Sequence, residues 1–239
     1  MSNNQLYQVS TLQALLLGYT KGVVSIEHLL EHGDIGLGTF SDADGEMIVI
    51  DHKVYRARQD GSVVEVEMDE NSSFASVADF NNAIEFEIDG GSSIEDLKKQ
   101  LDVFVDEDFG INSIYVVRLD GFFEFVKARS LKGHCSHHIE LSKILEKNQR
   151  NFSFEKVKGS LVCLYFPDYM QSINAAGWHF HFISEDRKQG GHVYNLAYSP
   201  MIGKRKQIHN IQIQIPTDVA FDTYPLTTVS QKEVKKVEQ

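Results

Sequence analysis

Residues 177–196 read GWHFHFISEDRKQGGHVYNL, the pattern of two strands separated by a polar turn. Side chains alternate faces along a strand. His179 and His181 therefore share one face, while Trp178, Phe180 and Phe182 point to the other and suit a core. Ser184-EDRKQGG-191 is polar and ends in two glycines, the composition of a hairpin loop. His192 opens the returning strand and is placed to face the first pair. Three imidazoles brought to one point, with a further position left open, is how a catalytic zinc-type site is built. A lone histidine is more simply explained as a filler in a sheet; an alternate pair with a third across a hairpin favours a metal site.

The chain of 239 residues is long enough to bury a sizeable core, and its 42% hydrophobic and 24% charged residues are those of an ordinary globular protein. A formal net charge of -11 argues against a polyphosphate partner, and no basic cluster is interleaved with aromatics. Nucleic acid is therefore not expected as a partner, and Lys98-Lys99 and Lys204-Arg205-Lys206 are read as solvated surface. The N-terminal segment lacks the basic start and the small-residue cleavage site of a secretory signal. Leu15-Leu16-Leu17 is far too short to span a bilayer, so no membrane association is expected. Cys135 and Cys163 have no CxxC spacing and fit free thiols in a reducing compartment, which predicts a cytoplasmic location.

Leu12, Leu15, Leu16 and Tyr19, following Ser10 or Thr11 as a cap, predict a helix ending at Gly22, and Ser25-IEHLLEHG-33 predicts a second. Ile35-GLGTF-40 and Met47-IVIDH-52 are strand-like and joined by Ser41-DADGE-46. Val54 to Met68 reads as a hairpin turning at Asp60-Gly61. Ile84-EFEI-88 alternates, and Ser93-IEDLKKQLDVFV-105 is helical. Ser113 to Leu131 is read as two strands around Asp120-Gly121, Val157 to Pro167 as a buried strand, and Ile208 to Pro216 as another alternating one. Hairpins connect most of these strands, which favours an α+β protein with mixed or antiparallel sheets over a doubly wound parallel sheet. The tail, 227–239, is charged and helix-compatible, and alone it reads as a frayed terminus.

Other motifs carry less. Asp42-Ala43-Asp44-Gly45 opens like a calcium loop but does not complete its ligand pattern, so a tight turn is expected. His134-Cys-Ser-His137-His138 lies in a polar stretch and is read as a surface feature. No GxGxxG, Walker-type loop or GxSxG occurs. His179-Phe-His181-Phe-Ile-Ser-Glu185 also mimics the first metal motif of cupin barrels, which would make Glu185 a ligand of a metal-dependent oxygenase or isomerase. Glu185-Asp186-Arg187 has the look of an exposed loop, and the second cupin motif is missing. A non-enzymatic zinc-binding protein is the other alternative.

Residues 177–193 resemble the metal-binding signature of the acetolactate decarboxylase family. The resemblance extends, in order, through Leu6-YQVSTLQALLLG-18, Asp34-IGLGTFSDADGEMI-48, Phe125-VKARS-130 and the closing Val237-Glu238, and so covers nearly the whole chain. It implies a carboxy-lyase that converts 2-acetolactate to acetoin and carbon dioxide, on the branch leading to butanediol. It implies a zinc ion, or another divalent transition metal, held by His179, His181 and His192. Glu46, Arg129 and Glu238 match the family's active-site glutamate, arginine and C-terminal glutamate, and Thr39 matches a pocket residue at the head of the hairpin. It further implies two mixed, largely antiparallel sheets with a few helices, forming one compact unit over 1–239, and a homodimer.

These residue types suit that reaction. Losing carbon dioxide from a 3-oxo acid leaves an electron pair conjugated with the ketone, so stabilising charge on that oxygen lowers the barrier. The ketone and the adjacent hydroxyl of acetolactate are expected to chelate the metal, whose charge three neutral imidazoles leave undiluted. An arginine can hold the substrate carboxylate with its planar fork, while Glu46 and Glu238 are the groups suited to moving protons.

Overall fold

The computed structural model describes residues 4–108, 110–134 and 138–226. The chain enters through strand β1 (Gln5–Val9), helix α1 (Leu12–Leu16), the short strand β2 (Val24–Ser25) and helix α2 (Ile26–Leu30). Strands β3 (Ile35–Phe40), β4 (Glu46–Ile50), β5 (Lys53–Ala57), β6 (Val63–Glu65), β7 (Asn71–Ala78) and β8 (Ile84–Ile88) follow, then helix α3 (Ile94–Glu107). The second half holds β9 (Ile114–Leu131), helix α4 (Leu141–Asn148), β10 (Gln149–Phe166), β11 (Gly177–Ser184), β12 (Gly190–Tyr198), β13 (Met201–Ile208), β14 (Asn210–Gln214) and helix α5 (Val219–Thr223).

Two sheets result. The first runs β14-β1-β7-β3-β4-β5-β6, with β2 on β7; the second runs β10-β11-β12-β9-β13-β8. β1 and β14 pair in parallel, and the other named pairs are antiparallel. The protein is thus α+β with two mixed, largely antiparallel sheets. β9 and β10 pair with each other along their length and with β12 and β11 at their other edges, which closes a ring of four strands.

The two sheets share a core. Ile35, Leu37, Ile48 and Ile50 of the first pack with Val116, Val162, Leu164 and Ile183 of the second. The opposite face of the second sheet is covered by Ile94, Leu97 and Leu101 of α3, and α2 covers the outer face of the first through Ile26 and Leu29. Residues 180–184 of β11 are buried on both faces, so the strand carries aromatics on one side and histidines on the other.

Helix starts follow local chemistry. The hydroxyls of Thr11, Ser25 and Ser93 accept from the amides of Ala14, His28 and Asp96, satisfying donors that the first turn leaves open. The first helix, expected to reach Gly22, stops earlier. Gly18 has φ +93, and a Cβ there would lie 2.3 Å from the carbonyl oxygen of Ile139. Asp120-Gly121, expected to be a turn, lies inside the continuous strand β9, because Asp120 is paired on both sides, with Ser160 and Ile202. The strand read as Met47–His52 ends at Ile50, and the chain reverses at Asp51-His52, where φ is +54 and +58. β1, β7, β13, α4 and the first half of β10 are additional to the predicted elements. β7 is the instructive case: Asn71-SSFASVA-78 lacks a bulky alternating pattern, yet it lies centrally in its sheet. The Ser72 and Ser73 hydroxyls donate to the carbonyls of Thr39 and Phe40, so small polar residues are buried there without an open hydrogen bond.

Candidate active site

β11 pairs with β10 so that His181 stands opposite Val162 and His179 opposite Leu164. Both partners belong to the core between the sheets, whereas Phe180 and Phe182 pack toward α3. Across the hairpin, His181 is directly opposite His192. Nε2 of His179 lies 3.2 Å from Nε2 of His181 and 3.0 Å from Nδ1 of His192. The hairpin reading of residues 177–196 therefore places three imidazoles at one point, as the sequence predicts.

The surroundings prepare these rings for a cation. Nδ1 of His181 donates to the carbonyl of Met47, 2.7 Å away, which fixes the ring and turns the Nε2 lone pair toward the other histidines. Burial, with the Arg129 charge as the second cause, pushes the His179 pKa down to about 3. Burial first, then His179, hold His181 well below the usual imidazole range. Neutral rings are the ligating form. Donors bound tetrahedrally at about 2.0–2.1 Å from an ion lie about 3.3 Å from one another, close to the separations observed, so the three side chains fit one metal ion.

Other predicted residues meet at the same place. Nη2 of Arg129, a side chain 8% exposed, lies 3.2 Å from Nε2 of His192. Oε2 of Glu46 is 3.4 Å from Nε2 of His181. Thr39 is buried, pairs in register with Glu46, and donates its hydroxyl to the carbonyl of Gly45 at 2.7 Å, which fixes the turn that presents Glu46. Thr39, Glu46, Arg129 and the three histidines line a single pocket of about 490 Å³, counting its part open to solvent, walled on the apolar side by Leu15, Phe74, Leu131, Leu141 and Leu145. Glu238 lies outside the described residues, as do Cys135 and His137.

Sequence reasoning missed several contributors, Phe74 of the unpredicted strand β7 among them. The Met47 carbonyl is a backbone group and leaves no mark in residue type. Leu141 and Leu145 come from α4, which was not predicted, although Leu141, Ile144 and Leu145 have helical spacing. Two weaker readings find no support in the geometry. Glu185 is exposed in the β11–β12 turn. Asp42 and Asp44 form no shared group: among the described residues the metal-competent sets are His179–His181–His192 and His28–Glu31–His32.

Fold and pocket together define an α+β protein whose histidine trio, two of them buried and His179 partly so, is flanked by a carboxylate and a guanidinium and can hold a metal ion. The sequence pattern of the alpha-acetolactate decarboxylase family matches residues 6–228. The alpha-acetolactate decarboxylase of Methanosarcina mazei is 34% identical over 242 residues, covering 100% of this chain and 83% of that protein; that of Bacillus subtilis is 32% identical over 218 residues, 91% of this chain and 84% of its own. The crystal structure of alpha-acetolactate decarboxylase from B. subtilis strain 168 superposes with a TM-score of 0.92 at 30% identity, covering 98% of this chain and 99% of that one. The chain belongs to the alpha-acetolactate decarboxylase family.

Proposed function

We propose that this protein is a carboxy-lyase that releases carbon dioxide from 2-acetolactate and yields acetoin, with a zinc or related divalent transition ion held by His179, His181 and His192. The observation that carries the reading is the meeting of three imidazole nitrogens with Arg129 and Glu46 in one pocket of a chain from this family. Bound there, the ion supplies Lewis-acid stabilisation of charge on the ketone oxygen.

The chain's own residues do the rest. Arg129 grips the substrate carboxylate with its fork, which orients the bond between the carboxyl carbon and carbon 2 relative to the ketone. When that bond breaks, carbon dioxide leaves without its former bonding pair, which stays on carbon 2 and is shared with the carbonyl. A proton must then reach carbon 2. Glu46, 3.4 Å from a histidine nitrogen and largely shielded from solvent, is placed to hold and move it. The apolar wall of leucines and Phe74 limits water around the reacting carbons. Thr39 positions Glu46 through the Gly45 carbonyl.

Glu238 is proposed as a second carboxylate returning to the pocket. In support, the Gln13 amide donates to the carbonyl of Leu226 at 3.3 Å, and Leu15 of the same helix lines the pocket. A single folded unit over 1–239 is proposed because one core is shared by both sheets. A homodimer in the cytoplasm is proposed as the setting; among the described residues no helix is long and apolar enough to cross a membrane. Purified protein carrying one metal ion per chain is expected to produce acetoin and carbon dioxide from racemic acetolactate. Failure to release carbon dioxide overturns the assignment.

A further inference from the structure

A second set of metal-competent side chains lies on the outer side of the first sheet, away from the inter-sheet core. His28, Glu31 and His32 occupy positions i, i+3 and i+4 of α2 and the turn that continues it, where the His32 amide donates to the carbonyl of Leu29 at 3.1 Å. One ligand atom from each lies within 4.8 Å of the others. Nδ1 of His28 is 2.9 Å from Oε2 of Glu31, and the two imidazoles meet edge to face with centroids 5.0 Å apart. The His32 ring is held in place by Tyr7 of β1: the rings stack with centroids 3.8 Å apart and planes 10° apart. Tyr7 also meets His28 edge-on at 6.0 Å. Its hydroxyl is buried and has no hydrogen-bond partner among the described residues.

We propose that His28, Glu31 and His32 form a second divalent-metal site, taking an ion of the zinc, nickel or copper class. Two imidazoles and one carboxylate are the donors borderline ions prefer, whereas calcium and magnesium call for oxygen alone. Two histidines one helical turn apart present their nitrogens on one face, so an ion can bridge them and replace the His28–Glu31 hydrogen bond. His28 and Glu31 side chains are 44% and 63% exposed, which leaves room for water as the remaining ligands. The site is open and built on one short helix, so it binds more weakly than the inter-sheet trio. Its effect is to pin the last turn of α2, a five-residue helix too short to persist without tertiary support.

The test is isothermal titration of zinc, and separately of nickel, into protein already carrying one ion per chain. A second, weaker equivalent is expected. His28→Ala and His32→Phe, the latter keeping an aromatic ring on Tyr7, are each expected to remove that equivalent while leaving the first ion and carbon dioxide release unchanged. Glu31→Gln is expected to weaken it. Absence of a second equivalent in the parent, or its survival in a chain carrying both His28→Ala and His32→Phe, overturns the proposal. Neither outcome depends on which reaction the pocket catalyses.

Discussion

Replacing Arg129 by lysine keeps a positive charge in the pocket but removes the planar fork. Arg129 is 8% exposed and points to the inner side of the second sheet, where little water is at hand to replace a lost donor. A guanidinium gives the carboxylate two parallel charge-assisted hydrogen bonds and a lysine gives one. Each such bond contributes roughly 1.5–3 kcal/mol. At about 1.36 kcal/mol per factor of ten, Arg129→Lys is expected to lower kcat/KM by about 10- to 160-fold. Arg129→Met, which loses both bonds and the charge, is expected to cost about 3–6 kcal/mol, or on the order of a hundred- to ten-thousandfold. The assay is steady-state acetoin formation from racemic acetolactate. Bound metal is measured in the same samples, because Nη2 of Arg129 lies 3.2 Å from His192 and the variant could disturb a ligand. A fully metal-loaded Arg129→Lys protein with the parent's kcat/KM would refute the role of the fork.

Three further outcomes are expected. Glu46→Gln keeps the shape of the side chain but cannot carry the proton, so kcat should fall by about 10²- to 10⁴-fold with metal retained; unchanged kcat would remove Glu46 from proton transfer. Phe182→Ala empties a fully buried position whose ring meets Phe123 edge to face at 5.4 Å. It should cost about 3–5 kcal/mol, a drop in Tm of roughly 6–20 °C at 2–4 °C per kcal/mol, read by thermal melting; an unshifted melt would place Phe182 outside the core. Asp218 caps α5 and is held below the usual carboxylate range, first by the Tyr19 hydroxyl and further by the Phe221 amide and Lys21. The unfolded chain takes up this proton near the ordinary value of about 3.9, so the contribution is present above that pH and lost as pH falls through the lower folded value. Asp218→Asn should therefore melt earlier at neutral pH and converge with the parent in acid; parallel acid limbs would contradict this.

How much of this was legible in the sequence depended on whether periodicity held. From Trp178 to Ile183 it holds strictly, and the polar loop before Gly190 fixes the hairpin, so the histidine trio could be read without coordinates. Arg129 could not. Leu119 and Phe123 on odd positions of β9 and Val126 and Ala128 on even ones belong to the same core, so the alternation slips by one residue between them. The partner strand carries Lys156 at φ +49 between the residues paired with Phe125 and Phe123. Extended unbroken from Phe123, a period of two would point Arg129 toward α3 rather than into the pocket. Only the family resemblance pointed to it. Glu46 fell between these cases: the hairpin was visible, but its face is set by the turn at Ser41–Ala43, where Asp42 and Ala43 adopt φ +63 and +55. β7 was hidden because its buried serines satisfy themselves on neighbouring carbonyls, a solution that composition alone does not announce.

The decisive measurement is a titration of chelator-stripped protein with zinc while carbon dioxide release from acetolactate is followed. The histidine trio as sole seat of the required ion predicts no release at the start, a linear rise, and a plateau at one ion per chain, with His181→Ala silent throughout. Full turnover by the stripped protein, or a parent-like response from His181→Ala, would contradict it.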